Sequence, residues 1–538
     1  MNLHSSHTSD ARVARPTARS SDGEPSLPEH LRGLLEASAY SHPVDAIDVK
    51  ETHISWIVLT GHYAYKIKKP VQFEFLDASQ LERRRELCEE ELRLNRRLAP
   101  SLYLEVAPIT QDGDRLKMGG TGHAIEYAVR MQQFREEDEL ISLLRRDAVS
   151  SRDMHELANA IAQFHLHASA VRMRADEPEQ LQSAIFENLN QLAASVERSE
   201  SLESVKRLRH WTHAEMAELA DEFRRRSASG FVRECHGDLH AGNIVRIDGR
   251  LIPFDCVEFD AALRTTDVMS DVAFLVMDLQ SRGRPDLACV FLSRYLEITG
   301  DYEGLRVLPF YAVYRALVRA KVDALGAKTV RANRAEYLHR LQRRLDVAIE
   351  WTRPRRAALV IMHGVSGSGK SWFSEHLIGR LRAIRIRSDI ERKRINLPRT
   401  SDGTHVAELY SRLATHRTYS RLLDCAEIGL IGGFNMIADA TFLDRADREL
   451  FRALADATGA SFTIVVCHAD EATLHKRIAA RNLEALDPSD ADARVLEAQL
   501  HSMQPLNPIE LQHAVELDTG DPESVKNAWA RIEARTKN

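Results

Sequence analysis

Apolar and polar positions change period along the chain, and each change marks an element. Thr52–Thr60 (THISWIVLT) and His62–Phe75 (HYAYKIKKPVQFEF) are rich in β-branched and aromatic residues, and the Thr60-Gly61-His62 turn between them predicts a β-hairpin. Leu81–Leu98 takes helical spacing, then Tyr103–Ile109 and His123–Met131 read as two further strands that complete a small sheet. Helices follow over Asp153–His167, Gln180–Ser195, Leu202–Arg226, Asp267–Leu279, Val307–Leu325 and Val330–Trp351. The pattern then changes to alternating strands and helices. Apolar runs at Ala357–Met362, Phe434–Asp439 and Ser461–Cys467, and a short strand from Ala383 ending in Ser388-Asp389, alternate with helices after Lys370, after Asp389 and after Cys467, which predicts a parallel sheet flanked by helices. Helices over Leu474–Asn482 and Arg494–Met503, then one more helix and a polar tail, close the chain. The fold class is therefore mixed: α+β in the first part, α/β in the second.

At 538 residues the chain exceeds a single core, and a prior of roughly 150 residues per domain gives three or four structural units. Residues 1–29, rich in Ser, Arg, Pro and His with almost no apolar positions, read as a disordered leader. Residues 30–351 form the first domain, Thr352–Arg356 with its central proline the linker, and residues 357–538 the second domain. A net charge of −6 gives no global basic field for nucleic acid or anionic membrane. The six cysteines lack C-x-x-C pairing and read as reduced core thiols. The N-terminus has no apolar signal core, and no uninterrupted apolar run reaches about 18 residues, so the expected location is the cytoplasm, with no membrane partner.

Two stretches carry chemistry. Gly364, Gly369, Lys370 and Ser371 fill G-x-x-x-x-G-K-[ST] between an apolar strand and an amphipathic helix. Gly364, Ser366, Gly367, Ser368 and Gly369 let successive backbone N–H groups converge on phosphate oxygens. Lys370 adds a point charge near the β and γ phosphates, and the Ser371 hydroxyl suits Mg²⁺. The second stretch is Phe231–Asp260. There His236, Asp238 and Asn243 fit H-x-D-x-x-x-x-N, and Asp255 follows a hairpin tipped by Asp248-Gly249. Asp238 stands where a base takes the proton of an attacking hydroxyl, and Asn243 and Asp255 are oxygen ligands for Mg²⁺. Upstream, a lysine-bearing strand followed by a glutamate-bearing helix has the layout of a kinase small lobe. Lys66 and Glu91 are the chosen pair, with Lys68 on the same strand face as a rival. His165 and His167, two positions apart on a helix, read as ordinary surface or core residues.

The run His236–Asn243, HGDLHAGN, resembles the catalytic loop of the aminoglycoside phosphotransferase and choline kinase family. That resemblance covers roughly residues 40–350. It implies a bilobal protein-kinase-like fold that phosphorylates small-molecule hydroxyls, with Asp238 as base, Asn243 and Asp255 as metal ligands and a helical substrate subdomain over Asp260–Leu345. Asp271 would stabilise the catalytic loop, and Glu258 and Asp260 read as structural before substrate-contacting. The small lobe departs from the protein-kinase pattern in having no G-x-G-x-x-G before Lys66.

In the second domain, the P-loop followed by Ser388-Asp389-x-x-Arg392-Lys393 resembles P-loop kinases of small molecules and polynucleotides, including gluconate-kinase-like and zeta-toxin-like members. The whole chain resembles bacterial fusions of an aminoglycoside-phosphotransferase-like domain with an AAA-family ATP-binding domain. The likeness implies Asp389 as the residue that contacts and deprotonates the acceptor, Arg392 as a substrate contact, and Arg477 and Arg481 as lid arginines over the phosphates, with Asp487–Asp492 at the lid tip. Asp439 ends an apolar strand as a candidate Mg²⁺ carboxylate. Ala440 and Thr441 follow it where hydrolytic motors place a glutamate, which favours transfer to an acceptor.

The reading is a phosphotransferase dependent on ATP (or GTP) and Mg²⁺, with two nucleotide sites and small-molecule hydroxyl acceptors. Two alternatives stay open: a regulatory role for the first domain, and polynucleotide 5′-hydroxyl kinase activity in the second, so nucleic acid is an allowed but not favoured partner. The acceptors and the oligomeric state are not legible.

Overall fold

The computed structural model describes residues 27–73, 76–113, 115–171, 177–329, 333–396, 411–484 and 493–536. The chain divides into two compact units, Met1–Phe134 with Glu258–Asp260, and Arg135–Val257 with Ala261–Asn538.

The first unit is a six-stranded antiparallel sheet with one long helix. Strands β1 (Asp48–Glu51), β2 (Ser55–Leu59), β3 (Tyr63–Lys68), β4 (Tyr103–Asp112), β5 (Arg115–Met118) and β6 (Ala124–Gln132) pair in the order β1-β2-β3-β6-β4-β5. The expected hairpin is β2–β3, registered Leu59 opposite Ala64. Its turn places Gly61 at φ +92°, where a Cβ would meet Asp45 Oδ2 at 2.9 Å. Alternation along β3 sends Tyr65 and Ile67 into a core with Leu31, Leu34, Trp56, Val58 and Ile109. Lys66 and Lys68 take the other face, where helix α1 (Leu81–Asn95) buries Cys88, Glu91 and Leu94. Two strands were not expected, β1 (DVKE) and β5 (RLKM). Both are edge strands whose charged residues mask the apolar period while guarding the open edge. The expected leader ends at residue 29, but within it Leu27 is buried and Glu29 opens a 3₁₀ helix. The rest of that leader, residues 1–26, lies outside the described residues.

The second unit opens with helices. Among them are α2 (Ser151–His167), α3 (Val268–Ser281), α4 (Pro285–Thr299), α5 (Leu308–Thr329) and α6 (Arg334–Trp351). The expected Leu202–Arg226 helix is instead two, Ser199–Glu218 and Ala220–Ala228. They break at Leu219, whose ψ of 3° leaves the helical range. The Asp248-Gly249 hairpin forms between β7 (Ile244–Ile247) and β8 (Arg250–Pro253), and both turn residues take positive φ as a two-residue turn requires.

After Thr352–Arg356 comes the parallel sheet. Its strands are β9 (Ala358–His363), β10 (Ala383–Arg387), β11 (Asn435–Asp439), β12 (Ser461–His468) and β13 (Ala514–Asp518), in the order β10-β11-β9-β12-β13. Every pairing is parallel. The first strands of the order are buried along nearly their whole length, as a sheet covered on both faces requires. Strand β13 (AVELD) lies where a helix and a polar tail are expected; as an edge strand it carries the exposed Glu516, which breaks its apolar run. Around the sheet lie α7 (Lys370–Leu381), α8 (Ser388–Asn396), α9 (Arg412–Ile431), α10 (Arg445–Thr458), α11 (Glu471–Glu484), α12 (Ala493–Ser502) and α13 (Pro522–Thr536).

Candidate functional site

The loop joining β9 to α7 is the G-x-x-x-x-G-K-S motif. Gly364 sits at φ +141°, and a Cβ there would stand 2.3 Å from the Cys467 carbonyl on β12, so only glycine lets the loop leave the sheet at this point. Gly369, at φ +88°, is hemmed by Thr519 in the same way. Lys370 Nζ donates to the Val365 carbonyl at 2.7 Å, folding the ammonium across the loop. Parallel pairing sets β10, β9 and β11 with their C-terminal ends together, and a cavity of about 560 Å³ opens there. Ser366, Gly367, Gly369, Lys370, Ser371, Ser388, Asp389, Arg392, Asp439 and Arg477 all line it, so the expected P-loop, carboxylate and acceptor residues converge on one space. Ser368, within the loop, is fully buried.

Within that cavity Arg392 Nη1 lies 3.5 Å from Asp389 Oδ1. Arg477 donates to the Gly367 carbonyl at 3.1 Å and to Thr519 Oγ1 at 2.7 Å, which ties α11 to the loop. Arg481 falls on α11, but its side chain lies outside the described residues, as does the expected lid tip at 487–492. Ser371 and Asp439 supply hard oxygen donors on adjoining elements, a set that fits Mg²⁺.

Several lining residues escaped the sequence reading. Asp444 and Asp447 bring two more carboxylates to the wall, beside Thr415 and Tyr419 of α9. Burial, then the neighbouring Asp444, pushes the Asp447 carboxyl up to about 6. Gln499 of α12 accepts from the Ser366 N–H at 2.7 Å. Phe442, just beyond Asp439, takes φ +47°, and the Tyr419 hydroxyl accepts its N–H at 2.9 Å.

The HGDLHAGN loop forms a second cluster. His236 Nε2 donates to the Phe254 carbonyl at 2.9 Å, which leaves Nδ1 to accept the Asp238 N–H at 3.3 Å. Burial holds His236 below the usual histidine range. Asn243 Nδ2 donates to Asp238 Oδ2 at 3.0 Å, so its amide oxygen is the atom suited to a metal. His240 takes the Gly242 N–H on Nδ1 at 3.0 Å, and its Nε2 stands 3.3 Å from Asp238 Oδ2. Burial would raise the Asp238 carboxyl, but His240 and Arg319 carry it well below the usual carboxylate range. Asp255 follows β8 at φ +64°, a left-handed backbone rare outside glycine, and the adjacent Phe254 N–H returns to the Asn243 carbonyl at 2.9 Å. Asp238, Asn243 and Asp255 are thus set by one loop and one hairpin.

Helix α3 fastens that loop from beneath. Asp271 accepts the His236 and Gly237 N–H groups at 2.7 and 2.9 Å, as expected of it. Asp278, seven residues on and so on the same helical face, accepts the Ala241 N–H at 3.0 Å. The sequence reading missed Asp278, yet two aspartates seven apart in an otherwise apolar helix are a usable signal. Of the two histidines read as surface or core residues, His165 is in the core, a buried partner of Asp271 with its Nε2 3.4 Å from Oδ2, and His167 is exposed.

In the first unit, Lys66 Nζ and Lys68 Nζ lie 2.8 and 2.5 Å from the two oxygens of Glu91. Lys68 also pairs with Glu258, a structural place for that residue. Burial pushes the Glu91 carboxyl up, but the two ammonium groups outweigh it and leave it at about 2. Lys66 keeps a 12% exposed side chain against 2% for Lys68.

Over 468 residues the chain is 31% identical to the uncharacterized protein Rv2004c of Mycobacterium tuberculosis, an alignment covering 85% of this chain and 91% of the mycobacterial one. The chain belongs to that family. The uncharacterized protein Mb2027c of Mycobacterium bovis matches to the same extent. Residues 359–506 match the family described as AAA domain, which places the P-loop cavity inside a nucleotide-binding module. Among solved structures, a putative kinase from Chloroflexus aurantiacus is similar at 21% identity and TM-score 0.28, over 34% of this chain and 99% of that one. A choline/ethanolamine kinase family protein from Mesorhizobium loti is similar at 12% identity and TM-score 0.35, over 57% of this chain and 94% of that one. No helix among the described residues is long and apolar enough to cross a membrane.

Proposed function

We propose that this protein is an ATP- and Mg²⁺-dependent phosphotransferase with two nucleotide centres, each handing the γ-phosphoryl group to a hydroxyl of a small-molecule acceptor. One observation carries the reading: a single cavity joins Lys370, Ser371 and Asp439 to Asp389 and Arg392, so phosphate-holding and acceptor-holding groups share one space. In the P-loop centre, loop N–H groups and Lys370 hold the triphosphate, and Arg392 and Asp389 orient the acceptor. The hydroxyl proton passes to an Asp389 oxygen as the acceptor oxygen bonds to the γ-phosphorus and the bond to the β-phosphate oxygen breaks, releasing the diphosphate. Mg²⁺ held by Ser371 and Asp439 would offset phosphate charge. In the kinase-like centre Asp238 takes the proton, and Asn243 and Asp255 would hold the cation.

The P-loop cavity wall supports a neutral or cationic small acceptor over a polynucleotide. Asp389, Asp444 and Asp447 face it, and Arg392 stands within ion-pair distance of Asp389, so a phosphodiester would meet repulsion. The test is a metabolite screen for ATP consumption with wild type, Asp238→Asn and Lys370→Ala in parallel. Acceptors that lose turnover only with Lys370→Ala belong to the P-loop centre, and those lost only with Asp238→Asn to the other. Full turnover in both variants for every acceptor rejects the proposal, and acceptor binding that weakens steeply with salt restores the polynucleotide reading.

A second reading has its own support. Helix α4, from the kinase-like part, packs along β10 of the P-loop sheet and contributes Ser293 and Glu297 to it, as a controlling domain would. Transfer that survives Asp238→Asn for every acceptor and is lost with Lys370→Ala favours that reading.

A further inference from the structure

Strand β10 is the outer strand of the parallel sheet and carries Arg385, whose side chain is 4% exposed. A buried guanidinium is tolerated only where its donors find acceptors. Those of Arg385 divide between two parts of the chain. Nε donates to Glu297 Oε1 on α4 at 2.8 Å. Nη2 reaches Glu375 Oε2 on the P-loop helix at 2.7 Å. Nη1 donates to the Ser371 carbonyl and to Ser374 Oγ, each at 3.2 Å. Ser374 Oγ in turn stands 3.2 Å from Asp439 Oδ2. One guanidinium therefore grips the first turn of the P-loop helix and, through one hydroxyl, the carboxylate at the end of β11.

Glu297 is 1% exposed, and its other oxygen takes Arg294 Nη1 at 3.2 Å, so it is fixed from its own helix. The same contact is reinforced from both sides. Arg394 and Arg421 donate to the Ile298 and Gly300 carbonyls at the C-terminal end of α4, at 3.4 and 3.1 Å, where cations meet the negative end of the helix dipole. His155 of α2 lies 3.0 Å from Glu375.

We infer that Glu297 is a positioning residue for the P-loop centre: by fixing Arg385 it sets Ser371 and Asp439 for the magnesium nucleotide. The inference rests on the P-loop reading above. Without the Glu297 charge, Arg385 is drawn toward Asp439 and competes with the cation for that carboxylate. Groups that orient metal ligands typically change metal affinity about 10- to 100-fold when removed.

The test uses the full chain and a fluorescent ADP analogue titrated at rising Mg²⁺, following the binding component that Lys370→Ala removes. Glu297→Gln is expected to raise the Mg²⁺ needed for half-saturation about tenfold, and Glu297→Asp, which keeps the charge, to bring it most of the way back. Where Glu297→Gln does not fold, Arg385→Lys serves. It keeps a charge beside Glu297 but cannot reach the other partners, and it is expected to give the same shift. A melting temperature that falls with an unchanged Mg²⁺ titration overturns the inference, because a purely structural role predicts that result. If Lys370→Ala removes no component of the binding, the P-loop reading itself is overturned, and this inference with it.

Discussion

The backbone N–H of Arg385 donates to the Ser293 hydroxyl at 3.0 Å, and the Arg385 carbonyl accepts from the Tyr302 hydroxyl at 3.3 Å. Both partners precede the linker, so the open edge of the P-loop sheet is closed by side chains of the kinase-like part. Exposed edges invite association with other strands. A fragment of residues 357–538 alone is therefore expected to self-associate, with fast hydrogen exchange at Ala383–Arg387 where the full chain exchanges slowly. A monodisperse fragment with a protected β10 would show the edge to be self-sufficient.

Asp447 gives a pH signature. Its carboxyl is pushed up to about 6, first by burial and then by Asp444, with His416 and Arg448 acting the other way. A raised carboxylate pKa means that the folded state binds the proton more tightly than the unfolded one. This contributes stability at low pH that is lost as pH rises from the ordinary aspartate range through about 6. Asp447→Asn removes the cost. After discounting for partial exposure, the gain is on the order of 1 kcal/mol at pH 8 and near zero at pH 4. Thermal melts of both proteins at the two pH values check it, and equal gains at both would assign the effect to packing.

Asp271 and Asp278 each hold backbone N–H groups of the HGDLHAGN loop. Asp271→Ala leaves the His236 and Gly237 N–H groups buried without that acceptor, a loss of about 1–3 kcal/mol for each group. Asp278→Ala does the same at Ala241 and also removes an ion pair with Arg282. Both variants are expected to speed hydrogen exchange across residues 236–243 and to lower transfer by the kinase-like centre, while Lys370-dependent nucleotide binding is retained. Unchanged exchange after Asp271→Ala would mean that the hairpin alone holds the loop.

What the sequence disclosed divides along a physical line. The P-loop and HGDLHAGN were legible because their geometry is local: glycines at positive φ, a helix start, a two-residue turn. Asp444, Asp447, Glu297 and Arg385 were not, because an aspartate on an amphipathic helix and an arginine in a strand acquire their roles only through what the fold packs against them. Arg385 shows this most clearly. Its run, AIRIR, reads as a strand with polar alternates, yet every residue of it is buried, since α4 covers the face that alternation assigns to solvent. Strands β1, β5 and β13 were hidden for the opposite reason, being edges whose charges interrupt the apolar period. Lys66 and Lys68 remained rivals because both occupy one face of β3, and the structure gives both to Glu91.

That shared carboxylate makes the last prediction. Glu91 is fully buried, with its carboxyl held at about 2 by Lys66 and Lys68 against the opposing effect of burial. A depressed folded-state pKa contributes stability that is present above the unfolded carboxylate range and lost as pH falls toward about 2. The first unit is therefore expected to loosen on acidification below about pH 4.5, the ordinary glutamate range. Glu91→Gln brings that loosening to neutral pH. Two lysines then face each other without the carboxylate, and breaking a buried pair from one side costs about 3–5 kcal/mol, reduced here because Lys68 keeps Glu258. Lys66→Met in the Glu91→Gln background removes one of the two facing charges while Lys68 keeps Glu258, and is expected to recover part of the loss. Hydrogen exchange of Tyr63–Lys68 at pH 7 and pH 4 reads all three proteins. A Glu91→Gln protein as protected as wild type at pH 7 would show that Glu258 alone suffices to hold both ammonium groups.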